Sequence, residues 1–271
     1  MNLTLLIIGL AIALSLIMTV AWAVVVRTGQ SGWIDAIWSF AVGIAGVVGA
    51  LYPLDDGAWT VRQLLAALLV AFWSLRLGLH IAGRTLRGGD DPRYAWLRQE
   101  WGDQYRRQLL LFLQIQAACA LVLVVAVIAA ARNPEPMLRL GDGLGVLLLV
   151  IAVLGEGAAD RQLERFRADP ANRGRVCDTG LWGRSRHPNY FFEVLGWFAY
   201  VAIALDPTGG YGLGWVAFAG PALMYWLLVY VSGVPPLEAH MLRARGDAFR
   251  AYQARVNTFW PSLRPAPSSH S

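Results

Sequence analysis

Seven long runs almost free of charge divide this 271-residue chain, and they constrain its fold more than any other feature. A helix needs about 20 predominantly apolar residues to cross ~30 Å of hydrocarbon. The runs that meet this are Leu3–Val26, Ala36–Leu54, Leu64–Ala82, Gln108–Ala131, Gly143–Ala159, Asn189–Leu205 and Gly212–Val234. Arg76 and His80 interrupt the third, and Glu156 lies near the end of the fifth. With 56% hydrophobic and 15% charged residues, against about 25% charge in a soluble domain, an ordinary cytosolic enzyme is excluded. The expected fold is all-α: a polytopic integral membrane protein of about seven transmembrane helices plus cytoplasmic interfacial helices. No internal repeat is visible, so the inverted-repeat signature of many secondary transporters is absent.

Every one of the 23 basic residues is Arg, and the net charge is +5. Seven spans put the connections after the first, third and fifth on one side with the C-terminal tail. Arg27, the arginines of 84–107, those of 161–186 and those of 243–264 make 19 on that side, against Arg62, Arg132 and Arg139 on the other. Positive loops stay cytoplasmic, so the expected placement is a bacterial inner membrane with the N-terminus outside and the C-terminus in the cytoplasm. Membrane lipids, and not nucleic acid, are the partners this distribution implies. Ala21-Trp22-Ala23 resembles a cleavage site, but no positive region precedes it and the apolar stretch is too long, so it reads as an uncleaved span. Cys119 and Cys177 are too few for a disulfide framework or a thiolate metal site. Asp91-Pro92 can start a helix, with Asp as cap and Pro at the first position. Tyr94, Leu97, Trp101 and Tyr105 then share one face, opposed by Arg93, Arg98 and Arg106, which suits a helix in the headgroup plane.

Three cytoplasmic-side segments hold residues that spanning alone does not require. In the first, Glu156, Asp160 and Glu164 stand four apart with Arg167 three beyond, so one helical face carries carboxylates from the bilayer into the interface. Ionisable groups at such depth are costly and tend to face a polar cavity; ion pairs at a helix end are the plainer reading for Arg161, Glu164 and Arg165. The second segment, residues 180–193, places Pro188 in the first turn of a span. Arg184, Arg186 and His187 stand beside the open amides of that helix start, a place that attracts phosphate. Asn189 and Glu193, one turn apart, present an amide and a carboxylate to one side. In the third, Glu238, His240, Tyr252 and Arg255 lie among arginines. No GxGxxG, P-loop, HExxH or Cys/His spacing occurs, so no metal site is expected, and a nucleotide must be held without a Rossmann fold.

SRHPNY (185–190) with Glu193, preceded by DRQLERFR (160–167) and GLW (180–182) and followed by E-x-H (238–240), Tyr252 and Pro261, resembles the steroid 5α-reductase and sterol C14-reductase superfamily. The likeness is nearest to its bacterial steroid 5α-reductase-like branch of unknown function and covers roughly residues 155–261. It implies an enzyme that binds NADPH in a cytoplasm-facing cavity and reduces a carbon–carbon double bond in a lipid, a steroid-like enone or an isoprenoid. Carried over by position, Asp160 and Arg167 contact the adenosine and phosphate end of the cofactor. Trp182, Arg186, His187, Asn189, Tyr190 and Glu193 line the pyrophosphate and nicotinamide portion, and His240, Tyr252 and Arg255 close over it. A single membrane domain over 1–261 follows, with substrate-side helices in 1–107, cofactor-binding helices and loops in 108–261, and a Pro/Ser-rich disordered tail from 262 to 271.

The N-terminal half departs from the pattern. Asp35 and Ala36 stand where the 5α-reductases carry Gln and Glu, Trp73 stands near the expected Tyr with Arg76 a turn below, and Pro236 and Leu237 replace the sterol reductases' Arg and Asp before E-x-H. Asp35 and Tyr190 are therefore the candidates for the acid that polarises substrate, or for its support. Two other readings stay open: an S-adenosylmethionine-dependent methyltransferase of the isoprenylcysteine type, which shares an RHP-x-Y segment, and a non-catalytic lipid- and nucleotide-binding membrane protein.

Overall fold

The computed structural model describes residues 2–53, 59–88 and 92–264. Its regular elements are α1 (Leu3–Thr28), α2 (Trp33–Leu51), α3 (Val61–Leu86), α4 (Pro92–Trp101), α5 (Tyr105–Ala131), α6 (Leu140–Ala168), α7 (Pro188–Ala204), α8 (Ala219–Trp226) and α9 (Val234–Arg255). No strand occurs among the described residues. Among the described residues six helical stretches are long and apolar enough to cross a membrane, so the chain is a polytopic integral membrane protein. The segment expected at Asn189–Leu205 forms α7, which at 17 residues is the short one. The last expected span, Gly212–Val234, changes its winding along its length: a 3₁₀ stretch over Gly212–Phe218, then α8, then a π turn over Leu227–Val231.

The helices begin and end where local chemistry dictates. Asn2 accepts from the Leu5 amide at 3.0 Å to open α1, and Thr60 with Gln63 forms a reciprocal capping box at α3. α1 stops at Gly29, whose φ of 75° lies in the left-handed region. α4 forms as its Pro92 predicts; the expected cap, Asp91, lies outside the described residues, as does the tail beyond residue 264. Its aromatic stripe turns inward: Tyr94 is buried, and the rings of Tyr94 and Trp101 pack on Phe112 of α5.

The chain forms two compact units. The first comprises residues 1–146 and 198–223, the second 147–197 and 224–271. α5 and the stretch 198–223, expected with the cofactor-binding helices, thus belong to the same unit as the N-terminal helices. In the first unit α1 is apolar all round: Leu6, Leu10, Leu14 and Met18 are buried while Leu5, Ile8, Ile12 and Leu16 are exposed. Such a helix has protein on one side and lipid on the other. Small residues bring α2 against α3: Gly43 abuts Ser74, and Gly46 sits so near Val70 that a Cβ there would lie 2.9 Å from its Cγ2. Close approach of this kind is how helices associate where lipid removes the hydrophobic incentive.

Arg62, counted above among the few arginines of the opposite side, is buried. It donates to both Asp142 oxygens at 2.8 and 2.9 Å and to the carbonyls of Asn133 (3.2 Å), Glu135 and Met137 (2.7 Å). This fastens the connection between α5 and α6. Asn133 in turn donates to the carbonyls of Ile203 and Ala204, and Arg139 to that of Ile203.

Candidate functional site

The second unit gathers the residues singled out in the three segments expected on the cytoplasmic side. Its local core is Val176, Phe249, Tyr252 and Val256, with Met241 and Leu242 packed on it. α9 therefore presents its apolar stripe to the loop between α6 and α7. Inside α9 the backbone breaks at Gly246 (φ 49°, ψ −121°), a conformation that needs glycine. The loop is pinned by side chains: the Trp182 indole donates to the Ala159 carbonyl at 2.9 Å, the Tyr252 hydroxyl to the Trp182 carbonyl at 2.6 Å, and the Leu181 amide to Gln162 at 2.9 Å.

Glu238 is the hub. Its carboxylate accepts from Arg186 Nε at 2.7 Å and Nη2 at 3.2 Å and from Gln253 Nε2 at 2.7 Å, and it meets His187 Nε2 at 3.0 Å. Arg186 completes its set with the carbonyls of Gln253 (3.2 Å) and Val256 (2.6 Å) and the Thr258 hydroxyl (2.7 Å). A guanidinium has five N–H donors, and all five are used within the protein. The Arg186 amide donates to the Asn257 carbonyl at 2.8 Å, and Ser185 Oγ to the Phe259 carbonyl at 2.9 Å. The SRHPNY segment and the chain after α9 are thereby joined.

His187 lies at the entrance to α7, 3% exposed. A carboxylate only accepts, so the contact with Glu238 assigns the ring proton to Nε2 and leaves Nδ1 an acceptor. Burial pushes the imidazole below its ordinary value against the pull of Glu238, which favours the neutral ring. Tyr190 stacks on it, centroids 5.3 Å apart and planes within 7°. Buried His187 Nδ1 and buried Asn189 Oδ1 both lack a hydrogen-bond partner among the described residues. Both are acceptors beside the amino end of α7, and a buried acceptor without a donor is costly.

A cleft of about 470 Å³ opens in the same unit, walled by Leu163, Phe166 and Met241 and by the arginines Arg167, Arg173, Arg175 and Arg245. Cys177 also lines it, its thiol pushed up by burial.

The remaining candidates fall around these two features. Asp160 is half-buried on α6, and Glu193 is buried and accepts from the Trp197 indole at 3.0 Å. His240 is half-buried on α9, and Arg255 pairs with buried Asp178 at 3.1 Å. Asp35 belongs to the first unit, where one carboxylate oxygen accepts from Arg93 and the other from the Tyr94 hydroxyl at 2.9 Å. Glu238 stands in the third candidate segment and in the E-x-H motif, but the sequence assigned it no role in binding or catalysis. Sequence reading missed Arg173, Arg175 and Arg245, whose signal was only their density.

No solved structure matches the chain. An uncharacterized protein of the fission yeast Schizosaccharomyces pombe is 27% identical over 273 residues, covering 90% of this chain and 76% of its own. A family described as "Protein of unknown function (DUF1295)" matches residues 21–256. The chain belongs to that family, which is steroid 5α-reductase-like.

Proposed function

We propose that this protein is an NADPH-dependent membrane reductase of a carbon–carbon double bond in a lipid. The observation that carries the reading is the pair of buried acceptors, His187 Nδ1 and Asn189 Oδ1, in the same unit as a four-arginine cleft. A ligand that satisfies both ends offers hydrogen-bond donors to one and an anionic group to the other. A nicotinamide dinucleotide does so: its carboxamide NH₂ has two donors, and its phosphates suit arginine. The residues present fit the group.

Asn189, His187 and Glu193 would hold the carboxamide end, and Arg167, with Arg173, Arg175 and Arg245, the phosphate end. Arg186 has no N–H to spare, so its part is to hold the His187-Pro188-Asn189 entrance against Glu238. The bound cofactor supplies hydride. We assign Tyr190, held flat on His187, to the proton. The arginine-rich connections and tail face the cytoplasm, as the charge bias favours, in a bacterial inner membrane.

The test is equilibrium binding to the purified full-length protein, read by tryptophan fluorescence or calorimetry. NADPH is expected to bind with micromolar affinity and Asn189→Leu to weaken it about tenfold, the scale of one buried hydrogen bond lost. No binding at millimolar NADPH, or preference for S-adenosylhomocysteine, overturns the reading.

A further inference from the structure

Within the first unit, polar groups from α2, α4 and α5 converge among apolar helices. Asp35 lies in the first turn of α2, so this node stands at one end of that helix. Its carboxylate takes the Arg93 guanidinium and, at 2.9 Å, the Tyr94 hydroxyl; that hydroxyl accepts from Gln116 Nε2 at 3.2 Å. Gln116 Oε1 is buried and has no hydrogen-bond partner among the described residues. The surround is aromatic: the Trp38 indole donates to the Gln116 carbonyl at 3.0 Å, Trp38 meets Trp73 edge-on at 6.5 Å, and Phe112 meets Tyr94 at 6.4 Å.

The hydrogen-bond inventory decides what such a node can take. The single proton of Tyr94 is committed to Asp35, and the oxygen left over is an acceptor. A ketone head only accepts, so it gains nothing from Gln116 Oε1. A phosphate head would compete with Asp35 for the Arg93 guanidinium that already faces it. A hydroxyl donates, carries no charge, and sits naturally at the boundary between headgroups and hydrocarbon while its body lies against aromatic rings.

We propose that Asp35, Tyr94 and Gln116 form the head-group seat of a neutral lipid alcohol, its hydroxyl donating to Gln116 Oε1 and its hydrocarbon body packed beside Trp38. The site stands apart from the reductase reading and survives if NADPH fails to bind.

The experiment purifies the full chain from its own membrane in mild detergent and identifies the retained lipids by mass spectrometry, comparing wild type with Gln116→Leu and Tyr94→Phe. A neutral hydroxyl-bearing lipid is expected to be enriched over the bulk extract by wild type. It is expected to fall about tenfold in Gln116→Leu, the scale of losing the acceptor for a buried donor, and to fall less in Tyr94→Phe, which removes the oxygen that holds Gln116 Nε2 and so orients Oε1. Thermal unfolding of each variant separates lost binding from lost fold; a Gln116→Leu protein that unfolds like wild type yet retains the alcohol equally overturns the proposal. So does the absence of any enriched neutral alcohol, or enrichment of a phosphate-bearing lipid in its place.

Discussion

A buried histidine that holds one proton on a carboxylate and offers a bare lone pair to its other side is sensitive to acid. His187 titrates below the ordinary ~6.5 of an unfolded histidine because burial disfavours its charged form. Between the two values the unfolded chain binds more protons, so stability rises with pH there and is lost as pH falls through the window. Nearby Arg186 opposes protonation and Glu238 favours it. The unfolding temperature is therefore expected to drop as pH is lowered from about 7 to 5, and the His187→Gln variant to show a flatter profile. Scanning calorimetry across that range checks it; parallel profiles would place the acid sensitivity elsewhere. At this scale the sequence was half legible. SRHPNY marked a cluster because its residues adjoin, whereas Glu238 lies 51 residues from His187 and its bond depends on how α9 returns to the loop.

Among elements, the apolar runs announced nearly every helix, since in lipid a continuous apolar run of about 20 residues satisfies its backbone within itself only as a helix. The chain could not announce how those helices wind or how near they come. The π turn over Leu227–Val231 has no residue signature, and the break at Gly246 looks like any glycine in a polar helix. α2 and α3 illustrate closeness. Gly46 stands against Val70 with no space for a side chain, so Gly46→Leu must push the helices apart. Overpacking of that kind costs about 1–3 kcal/mol, expected as a fall of several degrees in unfolding temperature in detergent, while Gly9→Leu, where nothing lies within 4 Å, should leave it unchanged. Equal effects would show that contact between these helices does not limit stability.

For the molecule as a whole, the arginine bias is the quantity to test. Single cysteines placed in the connection after α3, in the loop between α6 and α7 and beyond α9, in a background lacking Cys119 and Cys177, are expected to resist an impermeant maleimide in intact cells and to react in inside-out vesicles. Labelling of any of the three in intact cells would contradict the proposed orientation. The same whole-chain view gives the polar clamp around Arg62 a meaning in time. Its acid, Asp142, comes 80 residues later, and Asn133 and Arg139 then wait for the carbonyl of Ile203, 70 and 64 residues further on. The ribosome delivers residues 147–197, about half of the other unit, before the last piece of the first unit exists. The N-terminal helices are therefore synthesised before the acid that pairs with buried Arg62, and the first unit becomes complete only after the chain has already begun its second.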